Sequence, residues 1–230
     1  MKKASIFAVA VLCMFAAKGQ VAIPPSVGDG SAEDPFQIQN LENLRWVAEN
    51  GTHWDKYFIQ TADINAADTY DWLYGYGWAP IGNTTKQFSG TYDGQGFVID
   101  SLYINRNQEY VGLFAFIKNG VVKNVILSDV LIRGARSNTG ALAGYCMYGS
   151  LDNCHSSGTI ESALSYCGGL AGVLYGSTLI NSHSDITILS AGTEVGGLVG
   201  YNYKQSLIDH CYSTGIVNGV AGVGGLVGYN

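Results

Sequence analysis

Basic residues are scarce in this chain. Lys and Arg together number 12 against 18 Asp and Glu in 230 residues, a formal net charge of −6. That excludes a nucleic-acid partner, which needs a basic patch to displace counterions from phosphates. Long apolar runs are missing too, except at residues 4–17 (ASIFAVAVLCMFAA). The best later candidate is broken by Lys123 and Asp129, so the mature chain has no segment able to span a bilayer, which takes ~20 apolar residues. The paired histidines of a zinc peptidase, H-E-x-x-H, are absent: His53, His155, His183 and His210 do not make that pattern. No helical period is sustained in residues 88–230. The 31 glycines follow no three-residue period, which excludes collagen.

Lys2 and Lys3, the apolar core after them, and the small residues Ala17 and Gly19 read as a secretory signal cleaved near Gly19. Leu12 before Cys13 argues against a lipid anchor. Removing Lys2, Lys3 and Lys18 from the 12 basic residues leaves 9 against 18 acidic ones, a net of −9. The product is expected outside the cell or on its surface.

What the chain does contain is a repeat. VGLFAFI (111–117), TGALAGY (139–145), CGGLAGV (167–173), VGGLVGY (195–201) and VGGLVGY (223–229) recur at a fixed spacing of 28. Gly112, Gly140, Gly168, Gly196 and Gly224 align, as do Phe114, Leu142, Leu170, Leu198 and Leu226. A looser similarity lies between the blocks, in 121–132, 150–160, 179–188 and 207–217. It matches only with one-residue slips that cancel, as belongs in turns. Short alternating runs such as Val125–Leu127 read as strands. The fold expected is all-β, a parallel β-helix-like solenoid of 28-residue coils stacked ~4.8 Å apart. The Phe/Leu column fills its core. Val111, Thr139, Cys167, Val195 and Val223 also point inward if the Gly-Gly doublet makes a corner through positive φ. Asn124, Asn153, Asn181 and His210 form a polar column suited to side-chain bonds between coils and to left-handed turns. Val125, Cys154, Ser182 and Cys211 form a small inward one.

Residues 20–87 read as an N-terminal cap with first irregular coils, and 88–230 as the repeats. NLENLRWVAENG has an N-cap at Asn40, apolar Leu41, Leu44, Val47 and Ala48, and a stop at Gly51. It predicts one helix of roughly nine residues, covering the edges that an open solenoid end exposes. KYFIQTADI (56–64) reads as a strand and turn.

These motifs resemble the GLUG-motif repeat proteins, named for a Gly-Leu-x-Gly core seen here as GLAG (169–172) and GLVG (197–200, 225–228). DPFQIQNLENLRWVAENG (34–51), GWAPIGN (77–83) and FSGTYDGQGFVIDSLYI (88–104) extend the likeness over residues 34–230. Phe116, in place of the last glycine of the first block, and Ala141 depart from it. The resemblance implies secreted and surface proteins of bacteria, among them adhesin-like proteins and the non-catalytic regions of IgA-protease-type peptidases. It implies a β-helix-like fold and a role in binding or display.

No catalytic residue, metal ligand or cofactor is assigned. His155 and His183 share a column with Cys154 and Cys211 nearby, but Tyr212 takes the next place and no ligand set closes. Asp63, Asp68, Asp71, Asp93 and Asp100 are the carboxylates a polysaccharide-cutting β-helix would draw on, and such chemistry needs a pair ~5–9.5 Å apart. Of the mature cysteines, Cys154 and Cys211 lie two coils apart, ~9.6 Å, too far to bridge. Cys146 with Cys167 stays open, and buried thiols are the favoured reading. The ligand-binding candidates are Tyr70, Trp72, Tyr74, Tyr76 and Trp78. They alternate in TYDWLYGYGWAP (69–80) and would share one face of an extended segment. Host or matrix proteins and glycans are the partners such a face suits. The functional expectation is an adhesion or display scaffold without enzymatic activity. The alternatives are the accessory region of a larger secreted enzyme and a carbohydrate-active β-helix. The bare GGLVGYN end exposes a strand edge and is expected to continue in a longer chain. End-to-end association through the uncapped coil, or capping by another subunit, would cover the same edge.

Overall fold

The computed structural model describes residues 21–133, 135–162 and 164–230. The expected signal segment, 1–19, lies outside the described residues. The architecture is the expected all-β solenoid. One coil passes in turn through four parallel sheets, which stack the same segment of successive coils.

Sheet 1 carries Val121–Lys123, Ser150–Asp152, Thr178–Ile180 and Leu207–Asp209. Sheet 2 carries the long strands Ile126–Arg133, His155–Ser162 and His183–Ser190. Sheet 3 is short, with Cys167–Gly168, Thr193–Gly196 and Ala221–Gly224. Sheet 4 carries Phe114–Lys118, Ala143–Met147, Ala171–Tyr175, Val199–Tyr203 and Val227–Tyr229.

The core forms because each coil sends one apolar column inward from every side. Val122, Leu151 and Leu179 come from sheet 1, and Ile132, Ile160 and Ile188 from sheet 2. Cys167 and Val195 are buried in sheet 3, with Val111 and Thr139, also buried, continuing their column through single bridges, and Ile117, Cys146 and Leu174 are buried in sheet 4. Leu142, Leu170 and Leu198 sit at the bend between the last two sheets, all fully buried.

Corners fall where non-glycine residues adopt positive φ. Tyr110, Asn138, Tyr166 and Glu194 make one column of them (φ 53–61°), continued by Gly222. Asn124, Asn153, Asn181 and His210 make a second, as expected (φ 50–55°). The Asn153 side-chain amide donates to Asn124 Oδ1 at 2.8 Å, and that of Asn124 to Asp93 Oδ1 at 2.8 Å. The ladder then breaks, because Asn181 donates to Asp152 Oδ1 (2.9 Å) rather than to Asn153.

Two details of the repeat differ from expectation. The chain does bend at Gly169–Leu170, but the doublet has no positive φ; the left-handed residue is the one before the block. The glycines are needed for space. A β-carbon on Gly168 would lie 2.1 Å from Ala171 O, and one on Gly172 2.5 Å from Thr139 N. Backbone crosses backbone there without room for a side chain.

The first block, moreover, is one residue short. Phe114 pairs with Ala143 and Phe116 with Tyr145, so Leu113, fully buried, takes the core position aligned with Leu142. Ala115, not Phe116, holds the glycine position, and its N–H donates to Ile81 O (2.7 Å) instead of facing a sheet 3 strand. The other slips cancel as expected. Positive φ at both Lys204 and Gln205 accommodates one extra turn residue, after which Thr178 pairs with Leu207. The pairing Thr193↔Ala221 shows the register restored.

The cap helix is Leu41–Glu49, nine residues, with Asn40 Oδ1 accepting from Asn43 N at 2.9 Å. Leu41, Leu44 and Val47 are buried, and Trp54 Nε1 donates to Val47 O at 2.7 Å. Solenoid pairing reaches back into this region through Phe36↔Phe58, Phe58↔Tyr92 and Tyr92↔Val122. Among the described residues, two 3-10 segments, Gly51–His53 and Ala67–Gly75, accompany a single α-helix.

Candidate binding surface

The aromatic run 69–80 is not extended. Ala67–Gly75 winds as 3-10 turns broken at Trp72 (ψ 145°), with Leu73 and Tyr74 at positive φ. Thr69 causes this. Its buried hydroxyl donates to Ala66 O (2.6 Å) and accepts from Tyr103 N (2.9 Å), pulling the loop onto the solenoid. The five rings therefore do not share a face. Trp72 and Trp78 are buried, 6.2 Å apart, with the Arg45 guanidinium 4.7 Å from the Trp72 ring. Trp78 Nε1 donates to Leu113 O (3.2 Å). Tyr70, Tyr74 and Tyr76 are exposed, Tyr74 completely, and Tyr70 leans on Tyr103 at 4.7 Å.

A larger aromatic surface lies on the outside of sheet 4. Its strands alternate Cys146 and Leu174 inward with tyrosines outward. Register stacks Phe116, Tyr145, Val173, Tyr201 and Tyr229 in one column, and Met147, Tyr175 and Tyr203 in the next. Tyr201 and Tyr229 are stacked at 5.0 Å, Phe116 lies 4.8 Å from Tyr145, and Tyr175 lies 5.4 Å from Tyr203. Corner tyrosines extend the surface. Tyr110 packs on Phe116 (5.7 Å), Tyr166 on Tyr201 (5.2 Å) and Tyr148 on Tyr175 (5.4 Å). Partial burial, with Tyr110 adding to it, pushes the Tyr145 hydroxyl up to about 12, so it stays a neutral donor and acceptor. The signal was in the sequence. A tyrosine follows the last glycine of the block in Tyr145, Tyr201 and Tyr229, and Tyr175 and Tyr203 stand two places beyond Val173 and Tyr201. Alternation on a strand puts both columns outside.

Several of the remaining candidates are engaged with their neighbours in the solenoid. His155 and His183 are neighbours at 3.9 Å and His183 stacks on Tyr212 at 4.7 Å, as the column predicted. Burial, followed by the proximity of His183, lowers the pKa of His155. Among the described residues no cluster of His, Cys, Asp or Glu could hold a metal ion. Asp93 accepts from Asn124 and Gln95 N and pairs with Lys123 (3.2 Å); these contacts outweigh its burial and hold its carboxyl below the usual range. Asp100 accepts from Ser101 and Ser128, and Asp63 from Val98 N. Cys146 is a buried free thiol, so it does not bridge to Cys167. Burial pushes Cys146 up to about 11 and Cys154 up to about 12.

The fold and this surface define a parallel β-solenoid with an aromatic outer wall. Residues 191–218 match the GLUG motif, a span that covers one turn of the coil from sheet 3 into sheet 2. The resemblance to GLUG-motif repeat proteins therefore holds. The chain is 34% identical over 138 residues to Halomucin of Haloquadratum walsbyi, a match covering 58% of this chain and 2% of that protein. It is 36% identical over 133 residues to a provisionally named Gly-rich membrane protein of Evansella cellulosilytica, covering 55% of this chain and 15% of that one. The matches thus span only a small part of these curated relatives. A solved structure from Bacteroides ovatus, provisionally named an immunoglobulin A1 protease, shares the fold. Its TM-score is 0.57 at 21% identity, over 86% of this chain and 72% of that one. No helix among the described residues is long and apolar enough to cross a membrane.

Proposed function

We propose that this chain is a non-catalytic binding module displayed outside the cell, and that the outer wall of sheet 4 is its adhesive face. The observation that carries this reading is the two-column tyrosine wall. Globular proteins seldom leave so many aromatic rings in contact at the surface without a partner for them. Tyrosine supplies a broad apolar face, a hydroxyl and little entropy to lose, which suits both glycan and protein partners. A surface location is supported by the names of the relatives, Halomucin and a Gly-rich membrane protein. The exposed Tyr70, Tyr74 and Tyr76 form a secondary contact on the cap loop. The likeness to the Bacteroides ovatus structure favours one further setting, in which the module accompanies a larger secreted enzyme.

The test is binding of the purified chain to immobilised surface glycans and matrix proteins, with Tyr201→Ser/Tyr229→Ser as the variant. At least a tenfold loss of affinity with an unchanged melting temperature is expected. Unchanged binding in the variant, or no binding by the parent to any of these surfaces, contradicts the reading.

A further inference from the structure

A cleft of about 520 Å³ opens where the cap meets the first regular coil, lined among others by Asn83, Arg106, Gln108, Glu109 and Tyr110. The volume falls in the range of small-molecule sites, roughly 300–1,000 Å³. Three features give the cleft a chemistry. Tyr110 stands at the corner before sheet 3, and its ring stacks on Phe116 and meets Tyr145 edge-on at 5.9 Å, so the cleft runs into the aromatic wall. Arg106 is half-buried and held by two donated bonds, Nε to Trp78 O (2.6 Å) and Nη2 to Gly77 O (3.1 Å). A guanidinium has five N–H donors, and among the described residues no acidic group pairs with this one, leaving donors for a ligand. Gln108 and Glu109 add an amide and a carboxylate on the same rim. Burial lowers the Arg106 pKa, consistent with a guanidinium desolvated without a counter-ion.

We infer that this cleft binds one pyranose unit of a carbohydrate, the terminal sugar of a glycan whose remaining units lie along the sheet 4 wall. An aromatic face beside a guanidinium, an amide and a carboxylate matches a ring with an apolar side and vicinal hydroxyls. A purely anionic ligand is disfavoured by Glu109 on the rim, and a purely apolar one by the polar lining. The inference rests on the sheet 4 reading for the glycan's course, while the cleft itself is independent of it.

The test is saturation-transfer NMR and calorimetric titration of the chain with monosaccharides, neutral hexoses in one arm and hexuronic acids in the other. The informative variants are Gln108→Ala/Glu109→Ala and Tyr110→Asn. The second keeps the positive-φ corner, because Asn138 holds the equivalent place in the next coil (φ 57° against 61°). Binding of a sugar from either arm, weakened at least tenfold in both variants while their melting temperatures stay at the parent's, supports the site. Selective binding of the uronic acids assigns the carboxylate to Arg106. Transfer to no monosaccharide, or equal binding in parent and variants, overturns the inference. If polymeric glycan then still binds through Tyr201 and Tyr229, the cleft fails and the wall stands. If neither binds, both fail.

Discussion

Gly197 has no positive φ, so its role is spatial. A β-carbon there would lie 2.2 Å from Gly225 O and 2.4 Å from Ser213 Oγ. Gly197→Ala is therefore expected to cost about 1–3 kcal/mol through overpacking. Its denaturant midpoint checks this, and an unchanged midpoint would contradict the close approach of the coils. His155 makes a second residue-level prediction. Its pKa is depressed in the folded chain from the ordinary 6.5. The unfolded chain then takes up the proton first as pH falls. The stability His155 confers is complete above about 6.5 and is lost on acidification toward the lower folded value. Thermal unfolding between pH 7.5 and 5 is expected to show a falling melting temperature, with a shallower slope in His155→Phe, which keeps a ring beside His183.

At the level of elements, the cap helix was fully legible in the sequence. Asn40, the apolar face and the stop near Gly51 are local signals, and the helix occupies the nine residues they mark out. Asn40→Ala removes the bond to Asn43 N and is expected to lower stability by about 1 kcal/mol, read from the melting temperature; no change would mean the cap is dispensable once Leu41, Leu44 and Val47 are packed. The 69–80 loop was not legible. Alternating rings suggest an extended face, but Thr69 bonds to Ala66 and Tyr103, and the long-range partner decides the conformation. The first repeat block is deceptive for a similar reason. Identical spacing of Gly112 and Gly140 hides a residue missing after Gly112, visible only in the pairing of Phe114 with Ala143.

For the whole molecule, the period of 28 was enough to predict the solenoid, since a fixed repeat of short strands has few ways to bury its apolar columns. The surface was harder to see. Tyrosines after three of the five glycine cores were in plain view, but their meaning depends on which strand face is outside, and that follows only once Cys146 and Leu174 are placed inside. On the proposed function, the outer wall of sheet 4, rather than the cap loop, meets the partner. Hydroxyl-radical footprinting of the chain with and without a bound glycan or matrix ligand tests it most directly. Protection of Tyr145, Tyr201 and Tyr203, with Tyr70, Tyr74 and Tyr76 changing less, is the result expected; protection confined to the three cap-loop tyrosines would contradict it.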